Sequence, residues 1–286
     1  MSDVRERLVK GCDGLLGDTA ARNYSSKLSK FNTFAQPELQ RLIRGLDLKS
    51  GMQVLDAGCG TGEALNWLLG EVAPAGRVTG VDLSAAHIGA ARLQASAQIQ
   101  LHQANLLDNL FDPAGFDLIW CVNTINHLTD PRAGVIHLAA LLRAGGRIAI
   151  GQSSFLPDMY FAWDARLERA VNDAVRRYYQ DRYDLNEHDL KAVRALLGTM
   201  REARLQNIQV RTVMIERVSP LDAATAIYLE EAIFRGTWGE RLRPYLTPPD
   251  FAELAGLCDP DHANYALRRP DFHFLQSFTL AIGEIS

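Results

Sequence analysis

A chain of 286 residues, 47% of them hydrophobic, suits one large domain, or one domain carrying a substantial insertion, with ample material for a core. Its formal net charge of −4 gives no electrostatic reason to expect nucleic-acid binding. No run approaches the apolar length of a membrane span, and the start M-S-D-V-R-E-R-L-V-K lacks the apolar stretch of a secretory signal. A cytoplasmic protein without a membrane partner is expected. Cys12, Cys59, Cys121 and Cys258 lie far apart with no C-x-x-C pair, which reads as free thiols and no metal site.

Residues 1–50 read as helical, with Phe31, Phe34, Leu39, Leu42, Ile43 and Leu46 at helical spacing and Pro37 opening a second segment. Strands are predicted over Gln53–Ala57, Arg77–Asp82, Ile99–His102, Phe116–Val122 and Arg147–Ile150. The segments between them are helical, starting from Gly62, from Ser84 as a cap, and from Asp130-Pro131. This alternation predicts a doubly wound α/β fold with a parallel sheet and helices on both faces. Beyond Gly151 the rhythm changes. Residues 153–207 read as long and helical, Ile208–Val218 and Phe272–Ile282 as strands, and Ser219-Pro220-x-Asp222 and Thr247-Pro248-x-Asp250 as helix starts. Seven strands result.

The chain is organised around Val54–Glu63, V-L-D-A-G-C-G-T-G-E. Gly58, Gly60 and Gly62 make a bend that a ligand can approach closely. The spacing G-x-G-x-G is not the G-x-G-x-x-G of a dinucleotide fold, and no G-K-[ST] follows as in a P-loop. Asp56 would repel a phosphate but can accept a hydrogen bond from an ammonium group, which favours a zwitterionic or cationic ligand. Asp82, at the end of the second strand, is placed to take both hydroxyls of a ribose, or to cap the next helix in rivalry with Ser84. Asn105 can pair with an adenine edge or stabilise a turn.

The stretches V-L-D-A-G-C-G-T-G, G-V-D-L-S, F-D-L-I-W-C-V-N-T-I-N-H-L and L-L-R-A-G-G-R-I-A-I, in this order, resemble class I S-adenosylmethionine-dependent methyltransferases. Within these the chain is most similar to the small-molecule group that includes quinone-methylating enzymes. The resemblance covers residues 20–152 and implies a seven-stranded, mostly parallel Rossmann-like sheet with a helical lid. It implies that Gly58, Gly60 and Gly62 receive the methionine part of the cofactor and that Asp82 with Leu83 takes the ribose. By the same resemblance Asn105 and Leu106 face the adenine, Val122 lies beside the methionine end, and Tyr24 closes over the cofactor. The family commonly carries Asp where this chain has Asn105, which removes charge assistance from the adenine contact.

The implied organisation is a helical cap over 1–50, a cofactor core over 51–152, and over 153–286 the rest of the sheet with an inserted lid. Methyl transfer needs a positioned acceptor, exclusion of water and, for hydroxyl or carbon acceptors, a route for a proton. His127 and Asn123, after the fourth strand, are the catalytic candidates, histidine being a residue type suited to act as a base. His87, His102 and His137 read as structural or surface residues. Phe155, Tyr160, Phe161, Trp163, Tyr178, Tyr179, Tyr183, Tyr228, Phe234, Trp238 and Tyr245 are spaced as core residues but fall where the family carries its lid. The expectation is an enzyme moving a methyl group to a small apolar or aromatic molecule in biosynthesis, releasing S-adenosylhomocysteine. A second reading keeps the cofactor as an electrostatic promoter of a non-methylating reaction such as cyclisation. Exposed lid helices leave room for a homodimer.

Overall fold

The computed structural model describes residues 16–286 apart from 154–155, 162 and 187–191. Cys12, Phe155 and the N-terminal part of the 1–50 segment lie outside these residues. The predicted strands form as β1 (Gln53–Ala57), β2 (Arg77–Asp82), β3 (Ile99–Gln103), β4 (Phe116–Val122) and β5 (Leu142–Gln152). β6 (Met159–Tyr160), β7 (Gln206–Val218) and β8 (His273–Glu284) complete a sheet of order β3-β2-β1-β4-β5-β8-β6, with β7 paired to β8. The sheet has eight strands rather than seven, because the two-residue β6 pairs with Phe274 and Leu275. So short a strand carries no periodic signal, and pairing alone defines it. β1 to β5 pair in parallel, whereas β8 runs antiparallel to β5, β6 and β7.

The run F-D-L-I-W-C-V in β4 is almost wholly apolar because the sheet is covered on both faces. Leu118 and Trp120 pack with Phe34, Leu39, Ile43, Phe274 and Phe278 on one side. Ile119 and Cys121 pack with Leu55, Leu138, Ile150 and Met200 on the other. Trp120 is fully buried, and its truncation to alanine would cost about 3–5 kcal/mol.

Helix Ser25–Arg44 is continuous, and Pro37 lies inside it rather than opening a second segment. Proline removes one helical hydrogen bond. Burial of Phe31, Phe34 and Ala35 before it, and of Leu39, Leu42 and Ile43 after it, holds both halves on the sheet. Glu38, on the same helix, takes a two-pronged ion pair from Arg217 of β7 at 2.9 and 3.1 Å. Ser84, Asp130 and Thr247 each accept from a backbone N–H in the first turn of the helices read from them, whereas the start read at Ser219 falls three residues later, where Asp222 caps helix Ala223–Ile227. Residues 153–207 are less helical than predicted. They contain β6, helix Ala165–Tyr183 and the short helix Leu196–Glu202. No helix among the described residues is long and apolar enough to cross a membrane.

Candidate active site

The strand order reverses between β1, whose next strand in sequence lies on one side, and β4 on its other side. Open α/β sheets take ligands at such a point, beyond the strand C-termini. A cleft opens there. Its lining includes Tyr24, Asp56, Gly58, Gly60, Asp82, Leu83, Asn105, Leu106, Val122, Asn123 and His127. The structure thus brings together all but one of the residues singled out from sequence.

The exception is Gly62, which does not line the cleft. It caps helix Glu63–Val72 with φ of 91°, and a Cβ on it would stand 2.9 Å from that of Ala91. It is glycine for helix packing and for its left-handed backbone, not for a ligand. Gly58 does face the cleft, with φ of 83°, and a Cβ there would collide with the Thr124 side chain.

The bend spends its amides internally. Gly58 and Cys59 donate to Val81 O at 2.8 and 2.9 Å, Gly62 to Cys59 O at 2.9 Å, and Gly60 to the Asp82 carboxylate at 2.9 Å. Anion-binding loops keep such amides free for the ligand. Here the bend offers room rather than donors.

Asp82 is more occupied than its strand-end position implies. One oxygen accepts from Gly60 N; the other accepts from Ser84 N at 2.9 Å and is 3.0 Å from His87 Nδ1. A carboxylate has about four acceptor sites, so about one remains for a ribose. Ser84, not Asp82, accepts from His87 N as the helix cap. His87 is buried, and its Nε2 accepts from Tyr24 N at 3.4 Å, so the ring carries its proton on Nδ1 toward Asp82. It is a structural histidine that holds the Asp82 carboxylate in place. His102 meets Phe111 edge-on, and His137 sits in helix Pro131–Ala140.

Asp56 is buried at the root of the cleft, and one carboxylate oxygen, Oδ2, has no hydrogen-bond partner among the described residues. Burial pushes its pKa well up, and the nearby carboxylates of Asp82 and Glu63 add to the effect. An orphaned buried acceptor beside room for a ligand fits a cofactor bearing an ammonium group. Asn105 uses its side-chain oxygen in the turn, accepting from Leu107 N at 3.0 Å. The turn reading holds, and one lone pair of that oxygen remains. Asn123, with φ of 51°, accepts from Ser153 N at 2.9 Å and ties the end of β4 to the end of β5.

Sequence reasoning missed Asp18 and Arg22, which also line the cleft. Asp18 contacts His127 Nδ1 at 2.9 Å. Its other oxygen receives Arg22 at 3.3 Å and the Tyr24 hydroxyl at 3.4 Å. Burial acts to raise the Asp18 pKa, but the partners His127, Arg22 and Tyr24 outweigh it and hold the carboxyl below its usual range. A charged D-x-x-x-R-x-Y spacing ahead of a helix was visible in the sequence, yet nothing local connects it to residue 127.

The aromatic candidates divide. Tyr160, Trp163, Tyr228, Phe234 and Trp238 are buried in one cluster, with Tyr160 stacked on Trp163 at 4.4 Å, as core residues are. Tyr178, Tyr179, Tyr183 and Tyr245 are half-buried, and Phe161 is exposed. Cys59 and Cys121 are buried free thiols. No cluster of His, Cys, Asp or Glu among the described residues could hold a metal.

Comparison with known proteins agrees with this geometry. Residues 54–146 match the family model described as a methyltransferase domain. A ubiquinone biosynthesis O-methyltransferase of Aromatoleum aromaticum is 37% identical over 105 residues, which make up 35% of this chain and 43% of that protein. The O-methyltransferase cnsE of Penicillium expansum is 31% identical over 161 residues, 52% of this chain and 57% of that one. The alignments therefore span about half the length of these relatives. Among solved structures, the YcgJ protein of Bacillus subtilis superposes with a TM-score of 0.57 at 15% identity, over 89% of this chain and 98% of that one, which is a likeness of fold. Residues 54–146 are thus similar to a methyltransferase domain, and the motif order and the orphaned Asp56 are in keeping with that match. The two relatives named above are O-methyltransferases.

Proposed function

We propose that the chain transfers a methyl group from S-adenosylmethionine to a small, largely apolar or aromatic molecule in a biosynthetic pathway. The observation that carries this is the charge of the cleft. Three carboxylates, Asp18, Asp56 and Asp82, face one guanidinium, Arg22, and an oxygen of Asp56 has no partner. Such a lining suits a ligand with ammonium and sulfonium charges and disfavours a phosphate. In this reading Asp56 accepts from the cofactor's ammonium group, and Gly58 and Gly60 admit its methionine chain. Asp82 and Leu83 meet the ribose, Asn105 and Leu106 the adenine, and Val122 the methyl end. Tyr24 covers the cofactor, and the segment after β5 serves as the lid over the acceptor. Asn123 and His127 stand on the acceptor side. The cofactor supplies a methyl group on a sulfonium that becomes a neutral thioether; the chain's own residues bind, orient and exclude water.

Titration calorimetry tests the assignment. The wild type binds S-adenosylmethionine saturably, and Asp56→Asn, which loses a charge-assisted bond of about 1.5–3 kcal/mol, binds it roughly tenfold to a hundredfold more weakly. Absence of binding to the wild type would sink the proposal. Accumulation of S-adenosylhomocysteine with a panel of phenols and quinols separates methyl transfer from a reaction that returns the cofactor unchanged.

A further inference from the structure

We propose that Asp18 is the positioning residue of a His127–Asp18 pair, and that the pair takes the proton of a hydroxyl acceptor as it is methylated. This deepens the proposed methyltransferase reading and rests on it. His127 Nδ1 lies 2.9 Å from Asp18 Oδ2, so one ring nitrogen is committed and Nε2 is the remaining proton-exchanging atom. Both residues line the cleft that holds Asp56 and Val122. A neutral imidazole whose Nδ1–H points at a carboxylate keeps an unprotonated Nε2, and the carboxylate stabilises the imidazolium formed on protonation.

Asp18 is itself held. Arg22 and Tyr24 reach its second oxygen, and the segment that carries it is pinned at three points. Ala85 N donates to Ala20 O at 3.0 Å, the Ser84 hydroxyl to Arg22 O at 2.5 Å, and Tyr24 N to His87 Nε2 at 3.4 Å. Arg22 also donates to the Tyr183 hydroxyl at 3.3 Å, joining the segment to the end of helix Ala165–Tyr183. A loop so tied presents a carboxylate in one geometry, which is what a positioning residue requires. The Tyr24 ring lies nearly parallel to that of His127, with the centroids 6.3 Å apart.

The chemistry then names the acceptor. An alcohol or phenol must lose its proton for the methyl ether to be neutral. Its oxygen forms the new C–O bond, the C–S electron pair returns to sulfur, and the O–H proton passes to His127 Nε2. Asp18 balances the imidazolium until that proton leaves to water. A thioether-type acceptor, which has no proton to give, would make no use of the pair.

Two readouts test this. Nitrogen-15 spectra of the histidines, with His127 assigned through His127→Gln, should show His127 as the Nδ1–H tautomer in the wild type. In Asp18→Ala, which removes the acceptor facing Nδ1–H, that tautomer should lose its predominance. With catechol as the probe acceptor and S-adenosylmethionine saturating, Asp18→Asn should lower kcat by about 10²–10⁴-fold, and Asp18→Glu should recover part of the loss. An Nε2–H tautomer in the wild type, or an unchanged tautomer in Asp18→Ala, overturns the pair. Failure of S-adenosylmethionine to bind while the tautomer is as expected overturns the methyltransferase reading and leaves the pairing intact.

Discussion

Asp82→Asn separates the architectural role of this carboxylate from its proposed role in binding. Its two oxygens serve three donors: Gly60 N on one, Ser84 N and His87 Nδ1 on the other. An amide has one oxygen and one NH2 group, so in either orientation a donor faces a donor. If the oxygen stays on the Ser84 side, Gly60 N–H is left unpaired and the glycine bend loses its tether. If it turns to Gly60, Ser84 N–H and His87 meet the NH2 group. His87 could escape by moving its proton to Nε2, but that forfeits the bond from Tyr24 N. An unsatisfied buried donor costs about 1–3 kcal/mol, and the loss of charge assistance adds to it. The expected destabilisation is about 2–4 kcal/mol, a fall in Tm of roughly 3–7 °C for a chain of this size. Calorimetric melting without ligand measures this term alone, and titration with S-adenosylmethionine measures the binding loss. A variant that melts within a degree of the wild type would refute the argument, because three donors on two oxygens permit no such result.

Gly58→Ala should be harsher than an ordinary glycine substitution, since it combines φ of 83° with a collision against Thr124. It is expected to abolish S-adenosylmethionine binding and lower Tm, whereas Gly70→Ala, with open space around its Cβ position, should melt at or above the wild type. Stability should also respond to Asp158, whose pKa is pushed up to about 7 chiefly by burial, with Glu168 adding and the hydrogen bonds from Gln276 opposing. The folded state favours the protonated acid. Its contribution is therefore fully present below the ordinary carboxylate pKa of about 4 and is lost as pH rises to about 7. Urea melts across that window should show the decline, and Asp158→Asn should flatten it.

The sheet was legible because its strands are local apolar runs bounded by glycine and proline. β1, β2 and β4 emerge with the boundaries read from sequence. Helix starts were legible for the same reason: a cap is a contact over three residues, as Ser84 with His87 and Asp130 with Ala133 show. Pro37 misled because the rule that proline opens or ends a helix is local, whereas burial of Phe34 and Leu39 on the sheet overrides it. Gly62 misled in the opposite way. Its place in the motif implied a ligand, and its neighbour proved to be Ala91.

By itself the sequence determined the alternation of strands and helices, the glycine bend after Asp56, and hence the class of domain. Those properties follow from residue spacing along one chain. Only the tertiary structure decided what each carboxylate is doing. Asp82 is shared among three donors, Asp56 is left with an unpaired oxygen, and Asp18 meets a histidine 109 residues away. Hydrogen bonds depend on proximity in space, and no pattern in composition or period records which distant segments the packed sheet will bring within about 3 Å of one another.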